Sequence, residues 1–149
     1  MLNRSVTCSR LCGAFLMGLL SLNVSCSRPD ATGRKPVFPV QGKVLVQGRP
    51  AENALVVFHP EGTSYAEVIR PNGRVQADGA FAMGTYETGD GAPAGEYLVT
   101  ITWPEPVKGA QDPDLAPDRL HGRYANPGTS KLRAKVGQEK NVLQAFEIR

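Results

Sequence analysis

The stretch GEYLVTITW, residues 95–103, decides the fold class because its side chains alternate in character. The residues on one face of the extended chain are apolar or aromatic: Tyr97, Val99, Ile101 and Trp103. This period of two is typical of a β-strand with one buried face, and it is the clearest such pattern in the chain. We therefore expect a sheet whose core face is formed partly by these side chains.

Shorter apolar segments of the same kind lie on both sides of this stretch. Turn signals separate them, and the strongest is Asp78-Gly79, whose residues tolerate the positive φ of a hairpin turn. No window has a sustained helical period. The pattern predicts an all-β fold, a Greek-key β-sandwich of about seven strands. The further segments are residues 40–46, 55–58, 66–70, 74–77, 81–83, 132–136 and 141–148.

Local details follow from individual residues. Pro71-Asn72-Gly73 is typical of a turn, and residues 89–95 (GDGAPAG) are typical of a loop. In the last segment, Val142, Phe146 and Ile148 are expected on one face of a single strand.

The composition and charge of the chain exclude several classes of protein. The chain has 149 residues, of which 41% are hydrophobic and 21% are charged. It is therefore too apolar for a disordered chain and too short for a large two-domain enzyme. The net charge is +3 and no run of Lys or Arg occurs, so we expect no nucleic-acid partner.

Residues 1–25 have the pattern of an export signal. Arg4 and Arg10 supply positive charge, and the apolar stretch LCGAFLMGLLSL covers residues 11–22. As a helix this stretch is about 18 Å long, which is too short for a bilayer core of about 30 Å but suits a signal peptide. The sequence therefore predicts export.

The next residues resemble a bacterial lipobox, in which a small residue precedes the cysteine that receives the lipid. In LNVSC (residues 22–26), Ser25 precedes Cys26, although Asn23 stands where Leu is usual. The other two cysteines lie within the signal, so its cleavage leaves a single thiol that cannot form an intramolecular disulfide. We expect a lipoprotein anchored in the cell envelope through Cys26. Ordinary cleavage nearby, without acylation, is the alternative.

The rest of the chain divides into a tether and a domain. Residues 26–39 carry the lipid site and are polar and interrupted by proline, which is typical of a flexible tether. Residues 40–149 are expected to form one domain. Within it, residues 104–130 are rich in proline and contain no clear strand. Long loops commonly carry binding function, so we expect the binding surface there.

Several motifs resemble those of transthyretin-like or carboxypeptidase-regulatory-like domains. The residues that fit that family's G-x-V and A-x-V-x-F-x-P pattern are Gly42, Val44, Ala54, Val56, Phe58 and Pro60. Residues 72–81 are similar to its D-G-x-F hairpin, and residues 89–104 to its P-x-G-x-Y-x-V strand. With residues 118–132 added, the chain resembles small lipoproteins of planctomycete-type bacteria. The resemblance implies a transthyretin-like or immunoglobulin-like sandwich that is not catalytic, although fold analogy alone transfers no activity.

The residues do not favour the enzymes that share the transthyretin fold. Domains similar to hydroxyisourate hydrolases carry a C-terminal Tyr-Arg-Gly-Ser signature, whereas residues 146–149 are FEIR. Domains similar to intradiol dioxygenases bind iron through two His and two Tyr, and the spacing of His59 and His121 indicates no such site. No G-x-S-x-G motif marks a serine nucleophile. We expect no enzyme activity, no metal and no cofactor.

A second metal hypothesis concerns the carboxylates of the proline-rich loop. Asp112, Asp114 and Asp118 offer oxygen atoms, which are the ligands that calcium prefers. The segment lacks the turn glycine and the late glutamate of an EF-hand, so a solvated acidic loop is the favoured interpretation.

The candidate binding surface consists of Trp103, His121, Arg123 and Tyr124. Aromatic faces suit a glycan or a peptide, while the simpler interpretation is that Trp103 and Tyr124 pack at the edge of the sandwich. The expected function is a non-enzymatic envelope module that binds or scaffolds another envelope component. The alternative is a glycan- or peptide-binding module that uses residues 104–130, and an enzyme is the third hypothesis.

Overall fold

The described part of the chain is built almost entirely from short strands. The computed structural model describes residues 33–62, 69–106 and 116–149. Within them lies one helix, α1 (Pro127–Ser130). The strands are β1 (Val37–Phe38), β2 (Val40–Val46), β3 (Arg49–Pro50), β4 (Leu55–Pro60), β5 (Asn72–Arg74), β6 (Ala80–Ala82), β7 (Ala92–Pro93), β8 (Gly95–Thr102), β9 (Leu132–Val136), β10 (Asn141–Val142) and β11 (Phe146–Ile148).

Two main sheets organise these strands. The first is antiparallel, with the order β5-β4-β8-β9. The second is centred on β2, which pairs antiparallel with β3 and β6 and parallel with β10 and β11. Because Gln41 pairs with both Ala82 and Val142, the antiparallel partners occupy one edge of β2 and the parallel partners the other.

The apolar faces of both sheets contribute to one hydrophobic core. Alternate residues of each strand are buried, which is the pattern of two sheets packed face to face. The rings of Phe81 and Phe146 stack within the second sheet, with centroids 6.1 Å apart. The most deeply buried core residues include Val40, Val44, Val56, Phe58, Met83, Val99 and Ile101.

The predicted all-β sandwich is confirmed. Strands β2, β8 and β9 coincide with segments predicted from alternation, and β4 contains the continuous apolar run at residues 55–58 that was predicted as a buried strand. Because many of the eleven strands have only two or three residues, the expected count of about seven is not confirmed, and the Greek-key connectivity stays a prediction. The strand expected at residues 66–70 lies mostly outside the described residues, and Ile69 and Arg70 belong to no strand.

The single strand predicted for residues 141–148 is wrong, because a bulge divides it. Val142 pairs with Gln41, but Phe146 pairs with Val44, so residues 143–145 oppose only residues 42–43. One extra residue of this kind reverses the side-chain alternation. Val142 is consequently 75% exposed, whereas Phe146 is 9% exposed.

The turn predicted at Pro71-Asn72-Gly73 is also wrong, because Gly73 lies in β5 opposite Val56. An ideal Cβ on Gly73 would overlap the backbone carbonyl of Ala82, so the close packing of β6 requires glycine here. Of the strand predicted at residues 74–77, only Arg74 lies in a strand.

Two segments predicted to be irregular contain the strands β1 and β7. Strand β1 falls within the expected tether and β7 within the expected loop, and Val37 pairs with Pro93. Gly91 permits this approach: its φ is +108°, and a Cβ there would overlap the carbonyl of Phe38. Regular pairing therefore begins at Val37 rather than at Val40.

Helix α1 has no counterpart among the predicted elements. The side chain of Asn126 accepts the N–H of Gly128 at 2.8 Å, and Pro127 occupies the first turn. These residues are typical helix-start signals, but four residues are too few for a helical period to show. The hydroxyl of Ser130 donates to the carbonyl of Val99, which fastens the helix to β8.

Candidate functional site

The structure describes one of the two places where function was expected. The export signal and Cys26 lie outside the described residues. Within the described ranges, no helix has both the length and the apolar character that crossing a membrane requires. The end of β8, where Trp103 begins the proline-rich loop, is described in detail.

Trp103 is held in place by hydrogen bonds from both its backbone and its ring. Its indole Nε1–H donates to the carbonyl of Glu52 at 2.9 Å. Its backbone carbonyl accepts the N–H of Arg119 at 2.8 Å. The indole is half-buried and packs against the core. Its orientation is therefore determined by the fold before any ligand binds.

Arg119 covers one face of the indole. Its guanidinium carbon lies 3.5 Å from the centroid of the Trp103 ring, which is a close cation–π contact. The backbone around this pair is a short antiparallel ladder, because Pro104 bridges to Asp118 and Glu105 donates to the carbonyl of Pro117 at 2.9 Å. Within the proline-rich loop, residues 104–105 and 117–119 thus extend the pairing beyond the end of β8.

Asp118 holds the returning segment together. Its Oδ1 accepts the N–H groups of Trp103 at 2.8 Å and Leu120 at 3.0 Å, and its Oδ2 accepts the N–H of Gly122 at 2.9 Å. A carboxylate with three backbone donors has a structural role, which differs from the solvated acidic loop favoured by the sequence. Asp112 and Asp114, the other residues of the calcium hypothesis, lie outside the described residues.

A cleft of about 680 Å³ opens beside the indole, and we call it the Trp103 cleft. Two arginines, Arg49 and Arg119, line it together with Glu52. The arrangement combines a fixed aromatic ring with cationic and amide groups, so it suits a ligand that has both an apolar face and hydrogen-bonding groups. The remaining lining residues are Pro50, Asn53, Val75, Gln76, Pro104 and Pro106.

The other three residues of the predicted surface do not line this cleft. His121 is exposed in a tight turn with φ +53°, closed by its N–H donating to the carbonyl of Asp118. Arg123 donates to the carbonyl of Arg149 at 3.1 Å and lies 5.6 Å from the ring centroid of Tyr124. Tyr124 packs against the core and its carbonyl accepts the N–H of Ile101. Of the four predicted residues, Trp103 alone lines the cleft.

The two histidines also lie on different elements. His59 is in β4, where its Nε2 is 2.9 Å from the hydroxyl of Thr100. Burial, with a smaller effect from the charge of Arg70, lowers the pKa of His59 and favours a neutral ring. In residues 33–62, 69–106 and 116–149, no three His, Cys, Asp or Glu side chains come together as a metal site would need.

A second ordered loop is formed around Asp90, where the sequence predicts only a loop at residues 89–95. The carboxylate of Asp90 accepts the N–H groups of Thr85, Tyr86 and Glu87, at 2.6, 3.0 and 3.1 Å. Burial alone would raise the pKa of Asp90, but these hydrogen bonds outweigh it and hold the pKa below its usual value. The loop borders a cleft of about 700 Å³ that Arg74 also lines. Asp side chains in turns typically accept from residues that follow them, so the sequence offered no signal for this loop, in which the donors precede Asp90.

Comparison with known proteins does not add an assignment. No family model matches the chain, and no curated protein has significant sequence similarity to it. The resemblance to transthyretin-like domains therefore remains a prediction from the motifs quoted above.

Proposed function

We propose that the protein is a non-enzymatic lipoprotein module of the cell envelope that binds another envelope protein in the Trp103 cleft. The observation that carries the proposal is the pair formed by Trp103 and Arg119, stacked at 3.5 Å beside a cleft that Arg49 also borders. Tryptophan and arginine are the residues that most often dominate the binding energy of protein interfaces. A side chain whose orientation is already set loses little entropy on binding.

The anchoring part of the proposal is supported by the amino-acid sequence. The predicted export signal, residues 1–25, ends with Ser25 and is followed by Cys26 and a polar segment. A lipid on Cys26 would confine the domain to a membrane surface, which raises the effective concentration of a partner in the same envelope layer.

A glycan is the second candidate ligand, and a specific observation favours it. Asn53 and Gln76 border the same cleft as the indole. Side-chain amides next to an aromatic ring can hydrogen-bond to sugar hydroxyls while the ring contacts the apolar face of the sugar. The alternative uses the same site and differs only in the chemistry of the ligand.

In-envelope photo-cross-linking tests the proposal. A photoreactive amino acid replaces Gln76, which is exposed and lines both the Trp103 cleft and the cleft beside the Asp90 loop. In a control protein it replaces Arg133, which is exposed on β9. Weakening by a variant of the Trp103 cleft then assigns the cross-link to that cleft. Arg119→Ala is the informative cleft variant because it removes the stacked cation but leaves the core unchanged. Trp103→Ala is less suitable, because the indole also packs against the core and binds Glu52.

The expected result is one discrete cross-linked protein from position 76, absent from position 133 and weakened by Arg119→Ala. Equal cross-linking from both positions, or none from position 76, would contradict binding in the Trp103 cleft. Cross-linked material that a glycan-degrading enzyme removes would replace the protein partner with the glycan.

A further inference from the structure

The second sheet has an apolar surface that the proposed function does not use. The bulge between β10 and β11 turns Val142 outward, where it is 75% exposed. Beside it lies a cleft of about 490 Å³ to which Ala82 and Ala145 contribute. We call Lys43, Ala82, Val142 and Ala145 the tether-side patch.

The charge on this patch is positive and comes from Lys43. Lys43 is exposed on β2 and lines the cleft, and no Asp or Glu is among the cleft's described lining residues. An exposed valine can enter the interface of a bilayer while a nearby lysine contacts anionic headgroups, so the two side chains are compatible with contact to an anionic lipid surface.

The position of the patch also favours a lipid bilayer as its partner. The backbone N–H of Asn141 in β10 donates to the carbonyl of Pro39 at 2.8 Å, and Asn141 pairs with Val40. β10 is therefore attached where the chain from Cys26 joins the second sheet. Only residues 27–36 separate Cys26 from β1, and fully extended they span at most about 35 Å.

We propose that the tether-side patch contacts the lipid surface in which Cys26 is anchored. This inference rests on the proposed anchor at Cys26, because a tether of at most about 35 Å keeps β10 within reach of the bilayer. The patch then fixes the orientation of the domain, so that the tether and the patch together determine which face of the sandwich is turned to the membrane.

The test uses the full-length lipoprotein purified from its membrane and reconstituted into vesicles. Val142→Cys carries an environment-sensitive fluorophore, and Arg133→Cys, on the other sheet, carries it in the control protein. Vesicles contain either phosphatidylcholine alone or phosphatidylcholine with about one third phosphatidylglycerol. Intact mass measured on each protein reports acylation of Cys26 separately.

We expect quenching by an aqueous quencher to fall about threefold or more at position 142 in the anionic vesicles, with little change at position 133. Lys43→Glu should restore much of the quenching at 142. Equal quenching at both positions on the acylated protein would overturn the patch and leave the anchor standing. Protection at 142 that persists without vesicles would also overturn it, because a second copy of the chain would then cover the patch.

If the mass shows no acyl group, the anchor fails, and co-sedimentation of the same protein with the anionic vesicles decides the patch. Binding that Val142→Ser and Lys43→Glu each weaken supports a lipid contact. Absence of binding overturns it.

Discussion

Two loops of this protein are each organised by one aspartate, and they differ in what the carboxylate joins. The carboxylate of Asp90 accepts the N–H groups of residues 85–87, which lie three to five residues before it in the chain. Asp118 accepts from Leu120 and Gly122 in its own turn but also from Trp103, fifteen residues earlier.

This difference separates local from long-range organisation. The carboxylate of Asp90 joins only nearby residues of its own loop, so its loss should leave the Trp103 cleft unchanged. The loop reaches a distant part of the chain through Tyr86, whose hydroxyl accepts the N–H of Lys35 at 2.9 Å. The Asp118 loop joins the Trp103 cleft to β8, so the same loss there should reach the binding surface. Trp103 is the only tryptophan, and its fluorescence therefore reports on one loop and not on the other.

The largest effect is expected for Asp118→Ala. Three backbone N–H groups lose a charged acceptor, and we expect the free energy of unfolding to fall by about 3 kcal/mol. Chemical denaturation measures the loss, and a red shift in Trp103 emission before unfolding would show that the cleft has loosened. Asp118→Asn keeps one acceptor oxygen and should lose less than half as much. Unchanged emission in the alanine variant would contradict the long-range role.

Asp90→Ala should reduce the free energy of unfolding by about 2 kcal/mol, because its three donors lie in a half-buried to exposed loop where water replaces part of the interaction. Trp103 emission should match the wild type, and so should photo-cross-linking from position 76. A shift in the emission of this variant would show that the two loops are coupled and would remove the contrast between them.

The pH dependence of stability sharpens the comparison. Because the folded pKa of Asp90 lies below its ordinary value of 3.8, its ionised form stabilises the fold above that pH. This contribution is lost as the pH falls from 3.8 through the folded pKa. Asp90→Asn should therefore flatten the decline in melting temperature below that pH. A parallel decline in wild type and variant would show that the carboxylate contributes nothing specific.

The smallest effect on stability is expected for Arg119→Ala. An exposed cation–π contact contributes under about 1 kcal/mol, so the melting temperature should change little. Cross-linking from position 76 should nevertheless weaken, because one side of the Trp103 cleft is removed. Arg133→Ala, which breaks an exposed ion pair with Glu61 at 3.0 Å, is the matched control and should leave cross-linking unchanged.

Alternation predicted the parts of the fold in which each strand has one buried face. The residues of β8 and β2 satisfy a simple period of two, so their faces could be assigned without a structure. The bulge at residues 143–145 could not be assigned in this way, because nothing local marks an extra residue whose position is set by pairing with β2. The need for glycine at position 73 could not be predicted for the same reason. It comes from the close approach of Ala82 rather than from the neighbours of Gly73 in sequence.

The candidate site could be predicted only in part. Trp103 was identified by its place at the end of a clear strand beside a proline-rich segment. Glu52, which accepts the indole N–H of Trp103, and Arg49, which lines the same cleft, could not be found from the sequence. β3 and the following turn approach Trp103 only through the folding of both sheets. Asp118 was noticed for its charge, but its role as an acceptor of backbone N–H groups depends on a loop geometry that composition does not reveal.

The central strand β2 also determines how the chain can fold. Its antiparallel partners follow within about forty residues, but its parallel partners β10 and β11 lie about one hundred residues away in sequence. Contacts of such high sequence separation must overcome a large loop-closure entropy, so domains built on them refold in milliseconds to seconds rather than microseconds. One edge of β2 therefore stays open until the last residues of the domain are available, and a chain interrupted before residue 141 would expose that edge to other extended chains.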